Sequence, residues 1–374
     1  MYVSLARAAY APRLLSVLIV NCACAVYVAN FVRQRQAGWS RFLLAAPVLL
    51  YNCAVPGLFL DDKEAVTKAM FMVASFWVCN FKLLALCMDR GSLTLRHPWT
   101  FPQFAALYTL PITPRNQPTD SSQGTKNKLS GSLHELGGGT SELTTRFLAK
   151  SITLAGLTHA LTTYSDGLSP LTTHVLFAIS LYASLGLGYD GLAALATSVI
   201  GLEIAPHFDK PFFSTSFTNM WGRRWNMSIG NTLRVLIYDP ILEGQLIKTE
   251  GHTAPPSSML RRWLGVCGCF FVSGVMHEVV YRYAENRFTA GWKWFTFFMI
   301  QAVVIGTEGL GKKLLKRYNV KVPTLPAIGV TVTLQMWLAH VLFFPPCTDA
   351  DMIGKVMGGL LRNFQAVRDF AVKS

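Results

Sequence analysis

Charge is what this chain has least of. Only 14% of its 374 residues are Asp, Glu, Lys or Arg, against roughly 25% in soluble domains. The acidic share is the smaller, 20 residues against 34 basic ones. That scarcity excludes an ordinary water-soluble domain. With 51% hydrophobic residues and a mean hydropathy of +0.34, it leaves a polytopic membrane protein. The net charge of +14 does not point to nucleic acid, because the basic residues lie in the segments joining apolar runs. They are expected to set topology and meet anionic headgroups. A disulfide framework is also excluded. Cys22, Cys24, Cys53, Cys79, Cys87, Cys267 and Cys269 all sit in apolar runs and read as small buried hydrophobes, not as bridges or zinc ligands.

What the chain does have is long apolar stretches near the length of about 20 residues needed to cross a bilayer. They run at 14–31, 42–60, 69–88, 147–164, 169–186, 264–281, 292–310 and 325–344, which predicts an all-α bundle of about eight spans. The first is expected to stay as a helix, because its core exceeds a typical signal h-region and no small-residue cleavage site follows. The stretch 191–204 is apolar but short. Reading it as a re-entrant or tilted half-helix keeps the basic segment containing Lys210, Arg223, Arg224, Arg234, Lys248, Arg261 and Arg262 on the cytosolic side. The whole of 1–374 reads as one membrane-embedded domain, interrupted by a polar, glycine-rich linker at about 113–145.

Several motifs fail on inspection. Gly186-Leu-Gly-Tyr-Asp-Gly191 spells a dinucleotide fingerprint but sits at an apolar helix end with no strand before it. Gly306-Thr-Glu-Gly-Leu-Gly-Lys312 approaches a phosphate loop, yet Lys313 stands where Ser or Thr would bind magnesium; small residues for helix packing explain it better. His277-Glu278-Val-Val-Tyr281 begins like a zincin helix, but Tyr281 replaces the second His, so no metal site is expected.

His277 and Glu278 lie inside an apolar span, and titratable groups placed there are functional candidates by default. About 50 residues upstream, Trp221-Gly-Arg-Arg-Trp-Asn226 read as a helix places Trp221, Arg224 and Trp225 on neighbouring turns. Its Trp rings suit a membrane interface, and Arg223 and Arg224 offer cationic forks for phosphate. The blander reading is an interfacial amphipathic helix.

Taken together these segments resemble the membrane-bound O-acyltransferase superfamily, in its wax synthase-like branch. The resemblance is carried by Asp209-Lys-Pro-Phe-Phe-Ser-Thr-Ser-Phe, Trp221-Gly-Arg-Arg-Trp-Asn226, Leu233-Arg-Val-Leu-Ile-Tyr-Asp-Pro240 and Ser273-Gly-Val-Met-His-Glu278. Asn80-Phe-Lys-Leu-Leu84 with Asp89, Leu110-Pro-Ile112 and Leu342-Phe-Phe-Pro-Pro346 extend it over most of the chain. Asn219 departs from it, since the branch commonly carries Asp there.

The resemblance implies acyl transfer from acyl-coenzyme A, a co-substrate with no other cofactor, to a lipid alcohol inside a helix-enclosed chamber. By motif match His277 is the catalytic His and Asn226 its polar partner. An alcohol is a poor nucleophile at neutral pH, so a positioned imidazole must take its proton during attack. Asn226 either orients that imidazole or meets the developing oxyanion. Glu278, about 100° round the helix, is expected to brace neighbouring helices. Lys210, Arg223, Arg224 and Arg234 are candidate phosphate contacts of acyl-coenzyme A, and Lys82, Trp225 and Tyr281 candidates for lining the chamber. The expected acceptor is a long-chain fatty alcohol, giving wax ester. A sterol or terpenoid alcohol, to which acetyl transfer is also open, and diacylglycerol are the alternatives. A multi-pass protein of the endoplasmic reticulum is expected. From another class, a transporter would also carry His277, Glu278 and Glu308 within the membrane.

Overall fold

A computed structural model describes residues 10–59, 64–115, 140–164, 167–249, 251–256, 258–352, 354–355 and 358, the side chains of 140–144 and 162 excepted. Among them the chain is all-helical, apart from one isolated antiparallel bridge between Pro114 and Ile204. Seven helices are long and apolar enough to cross a membrane: α1 (Tyr10–Val32), α2 (Trp39–Leu58), α3 (Ala65–Cys87), α6 (Pro170–Ile200), α9 (Met259–Glu285), α10 (Ala290–Arg317) and α11 (Thr324–Asp349). Between them lie α4 (Phe101–Thr109), α5 (Thr140–Thr163), α7 (Phe217–Arg223) and α8 (Met227–Leu233).

Two expectations change. The stretch read as a separate half-helix, 191–204, is the second half of α6, which runs unbroken for 31 residues. It stops at Gly201, whose φ of +62° is the left-handed turn glycine adopts without a Cβ clash. Conversely, the span expected at 147–164 is the helix α5, which has the length but not the apolar density of the other seven. Lys150 on α5 reaches across to Asp190 on α6 at 2.5 Å, so part of its polarity is neutralised against its neighbour. Its 24 residues cover about 36 Å at 1.5 Å per residue, enough to traverse hydrocarbon, and cytosolic placement of the basic segment requires that it does so.

Both ends of the stretch expected as a linker at about 113–145 belong to ordered structure. Thr113–Arg115 are tied to the chain after α6, with Ala205 N donating to Thr113 O and Arg115 N to Glu203 O, each at 2.9 Å. Helix α5 already begins at Thr140. The stretch 116–139 lies outside the described residues.

The two rejected nucleotide motifs fall inside helices. Gly186 leaves the room that Lys150 occupies, and Gly306 leaves room for the Trp263 indole, where an added Cβ would stand only 2.6 Å from Nε1. Small residues that let neighbours approach are the packing currency of membrane helices.

Three of the five apolar clusters among the described residues frame the site. One joins α1, α2, the end of α3, α4 and the end of α6, with Val28, Leu83, Leu86 and Phe104 at its centre. A second packs α3 and α8 on α9 through Trp77, Phe81, Ile229, Leu233 and Met276. The third packs α7, α9, α10 and α11 through Phe217, Phe270, Phe297, Phe298 and Phe344. The second and third clusters meet on α9 around His277.

Candidate active site

Helix α9 starts five residues before the apolar stretch 264–281, so His277 lies roughly 27 Å along it at about 1.5 Å per residue. Its Nδ1 meets the carbonyl of Ser273, one turn back, at 2.7 Å. A carbonyl only accepts, so Nδ1 carries the hydrogen and Nε2 is left with its lone pair. The ring is held by aromatic neighbours. Phe298 of α10 lies 4.1 Å away between centroids, Trp77 of α3 lies 4.9 Å away and nearly perpendicular, and Trp294 and Phe343 complete the surround at 5.9 and 6.2 Å. The imidazole nevertheless remains partly accessible, whereas Glu278 beside it is 1% exposed. Trp77 and Phe343 both come from π-helical segments, Met72–Cys79 and Ala339–Phe343, a local widening that often marks functional positions.

Glu278 points away, as its angular offset requires. It accepts from Thr289 N at 2.9 Å, Thr289 Oγ1 at 2.5 Å and Phe295 N at 3.1 Å, which makes it an anchor for the start of α10. Glu308 does the same for α7. It accepts from Phe217 N at 2.6 Å and Thr218 N at 3.3 Å while pairing with Lys312. An acidic side chain at a helix N-terminus satisfies otherwise orphaned N–H groups and meets the positive end of the helix dipole. Both carboxylates that a transporter would use are thereby spent on helix ends.

The segment expected to be one helix through Trp221–Asn226 breaks. Helix α7 ends at Arg223, Arg224 is its C-cap, and Asn226 adopts the left-handed region at φ +40° as the N-cap of α8. The break separates the two indoles. Trp221 turns inward, its ring 5.6 Å from Phe270 and its Nε1 donating to Gln301 Oε1 at 3.0 Å, so it is a packing residue and not an interfacial one. Trp225 packs edge-on against Phe208 at 5.2 Å, away from the ring of aromatics about His277.

Asn226 is not hydrogen-bonded to His277 in this structure. Its Oδ1 accepts from Ile229 N at 3.5 Å, and its side chain also engages Tyr189. Around it stands a second polar group. His207 stacks on Tyr189 with centroids 3.7 Å apart, accepts Met227 N on its carbonyl and donates from Nε2 to Pro111 O at 2.7 Å. Burial pushes the His207 imidazole down to about 4, which favours the neutral ring at physiological pH, with its hydrogen on the Nε2 that faces the Pro111 carbonyl. Asn226 therefore bears two separable demands, one on its backbone and one on its amide. Asn226→Ala is expected to cost about 1–2 kcal/mol for the left-handed conformation and about 1 kcal/mol for the lost cap. Asn226→Gly is expected to recover the first of these, as a higher thermal midpoint than the Ala variant's would show.

The phosphate candidates divide. Arg224 is already engaged: Nε donates to Asn219 Oδ1 at 2.7 Å and Nη1 to the carbonyls of Asp209 at 3.0 Å and Lys210 at 3.3 Å. It is a brace of its own loop. Asn219, where the family commonly has Asp, supplies through its amide oxygen the acceptor a carboxylate would, receiving Thr215 N as well. Arg234 is turned toward Asp239 at 3.3 Å but remains 64% exposed. Lys210 and Arg223 are exposed on the surface of this segment.

The lining candidates are packing residues. Lys82 is buried, its ammonium donating to Leu107 O, Leu110 O and Ile112 O at 2.6–2.9 Å. The cavity beside it, reached by Thr113, Asn231 and Thr232, measures about 20 Å³, room for a single water and not for an acyl chain. Tyr281 is 2% exposed, stacked edge-on to Trp294 at 5.2 Å, with its hydroxyl directed to Pro346 O. Sequence reasoning missed Trp77, Phe298, Gln301 and His207, because none lies in a motif and they come together from α3, from α10 and from the loop after α6. Gly274, three residues before His277, was legible only as a small residue. Its bare Cα lets α9 lie on α10, where a Cβ would come within 3.0 Å of the Phe295 ring and 3.2 Å of its Cα.

A profile of the membrane bound O-acyl transferase family matches residues 204–300, which contain Asn226, His277 and all three anchoring contacts of Glu278. Full-length relatives agree. The chain is 29% identical over 357 residues to acyl-CoA–sterol O-acyltransferase 1 of Arabidopsis thaliana, covering 95% of this chain and 94% of that one. It is 26% identical to the probable long-chain-alcohol O-fatty-acyltransferase 8 of the same plant, over 90% of this chain and 89% of that one. It is 27% identical to the long-chain-alcohol O-fatty-acyltransferase of Simmondsia chinensis, over 80% of each. An all-α, multi-pass membrane bundle with a His–Glu pair buried in one span is the class the fold defines. Within it, the chain is similar to the membrane bound O-acyl transferase family over residues 204–300 and, over most of its length, to the sterol and long-chain-alcohol acyltransferases just named.

Proposed function

We propose that the protein esterifies a lipid alcohol with the acyl group of acyl-coenzyme A, with His277 as general base and a long-chain fatty alcohol as acceptor. The observation that carries this is the state of His277: Nδ1 is committed to Ser273 O, Nε2 has no hydrogen-bond partner among the described residues, and the residue is partly accessible and surrounded by aromatic rings deep in the bundle. Such a nitrogen can remove a hydroxyl proton while the rings exclude water, which would otherwise hydrolyse the thioester. Asn226, without a direct bond to His277, serves the acyl oxygen or the loop and not the imidazole. Acyl-coenzyme A is the co-substrate and the endoplasmic reticulum the proposed location. A sterol acceptor is the second reading, favoured by the 29% identity to a sterol O-acyltransferase over 95% of this chain, against 24% to a probable long-chain-alcohol O-fatty-acyltransferase over the same share. The deciding experiment is expression in cells lacking neutral-lipid synthesis, with fatty alcohol, sterol, terpenoid alcohol and diacylglycerol supplied and the ester identified. Accumulation of wax ester supports the first reading, steryl ester the second, and no ester from any acceptor overturns both.

The divided cations give a kinetic expectation. Arg223→Ala removes an exposed guanidinium and is expected to raise the KM for acyl-coenzyme A several-fold with kcat little changed, the signature of lost uniform binding. Arg224→Ala instead removes the side-chain donor to the Asp209 carbonyl and one of the two donors at both Asn219 Oδ1 and the Lys210 carbonyl. It is expected to lower stability by about 1–3 kcal/mol and to reduce kcat with it. Steady-state kinetics and thermal midpoints of the two purified variants check this; equal KM effects with equal stability would return Arg224 to the phosphate site.

A further inference from the structure

Trp77 presents a buried donor with nothing to donate to. The residue is 6% exposed, and its Nε1 is fully buried with no hydrogen-bond partner. Four other indoles have acceptors: Trp99 donates to Ser92 O, Trp221 to Gln301 Oε1, Trp263 to Ala302 O and Trp294 to Phe343 O. An indole N–H can only donate, and native interiors rarely leave such a group without an acceptor. Its surroundings, Val78, Phe81, Ile229 and Met276, are apolar and supply none. The ring stands 4.9 Å from that of His277 and at 85° to it. It sits in the π-helical segment Met72–Cys79, a departure from regular helix in the middle of α3.

We infer that the Trp77 N–H is a catalytic hydrogen-bond donor to the acyl oxygen, an inference that rests on the acyl-transfer reading above. As the alcohol oxygen forms its bond to the thioester carbon, the carbonyl π pair moves onto the acyl oxygen and the hydroxyl proton passes to His277 Nε2. Collapse re-forms the carbonyl and breaks the carbon–sulfur bond, and the departing thiolate takes the proton from His277. Negative charge resides on the acyl oxygen only between these events. A donor already desolvated, rigidly packed and without a competing acceptor meets that charge at no reorganisation cost, and it binds the neutral carbonyl less strongly.

Removing the donor is therefore expected to act on turnover and not on substrate capture. The test replaces Trp77 by β-(3-benzothienyl)alanine, in which sulfur stands for N–H and the ring shape is kept, alongside Trp77→Phe. For both, ester formation, acyl-coenzyme A binding and thermal midpoint are measured on purified protein with the acceptor that wild type uses. The expected result is a fall in kcat of about 10²–10³-fold in the isosteric variant, with acyl-coenzyme A affinity within about threefold of wild type. A kcat within about threefold of wild type in the isosteric variant would overturn the assignment. Loss of acyl-coenzyme A binding or of the folded state in that variant would overturn it too, since the N–H would then serve structure. A wild-type protein that forms no ester from any acceptor defeats the functional reading itself, an outcome distinct from either.

Discussion

His277→Ala is expected to abolish chemistry while sparing assembly. Truncating the imidazole removes the base, and turnover should fall by at least the roughly 10²–10⁴-fold ascribed to general acid–base catalysis. The variant leaves only one polar group changed, the Ser273 carbonyl that Nδ1 occupied, and that carbonyl keeps its place within α9. The surrounding rings of Phe298, Trp77 and Trp294 lose a neighbour, and the resulting cavity costs about 1–3 kcal/mol. Acyl-coenzyme A binding should stay near wild type, because the cationic candidates Lys210, Arg223 and Arg234 lie in a different segment of the chain. Ester formation and donor binding, measured on the same purified samples, check both halves. Near wild-type turnover would remove His277 from the mechanism and leave an intramembrane His without a role.

The adjacent carboxylate should behave in the opposite way. Glu278→Ala strips three donors of their shared acceptor: Thr289 N, Thr289 Oγ1 and Phe295 N. All lie at the entry to α10, and Glu278 itself is 1% exposed. Orphaned buried donors cost about 1–3 kcal/mol each, so a total loss of about 3–5 kcal/mol is expected, read as a sharply lowered thermal midpoint or failure to accumulate in the membrane. Glu278→Gln keeps one acceptor oxygen and should fall between. Any folded Glu278→Gln protein should retain most of its turnover, because the side chain turns away from His277 Nε2. A large kcat loss at normal stability in Glu278→Gln would instead place the carboxylate in the chemistry. His277 and Glu278 are thus neighbours in sequence with separable tasks, distinguished by which measurement each substitution moves.

The same separation runs through the upstream segment. Arg223 and Arg224 are indistinguishable by residue type, but α7 ends between them. One residue further along the backbone turns the guanidinium from solvent into the loop, where Asn219, Asp209 and Lys210 occupy it. Trp221 and Trp225 part company for the same reason, one entering the aromatic cluster with Gln301 and the other resting on Phe208. A helix drawn through all six residues from periodicity cannot show this, because the break is made by the positive φ of Asn226, a conformation that Asn tolerates but does not announce.

Composition and local pattern by themselves determined the class of the protein: charge too scarce for a soluble domain, apolar runs of membrane length, and a His–Glu pair in one of them. They also determined that Glu278 faces away from His277, since a 100° step per residue is a property of any α-helix. Only the tertiary structure decided the rest. Whether an apolar run ends as a half-helix or continues, as 191–200 does in α6, depends on what it packs against, because hydrophobicity is the same in either case. The partners of His277 come from three other helices, and Trp77, 200 positions upstream in the sequence, reaches it through packing of α3 on α9. Contacts between residues so far apart follow from the summed packing of whole helices, and that sum leaves no signature at any single position of the chain.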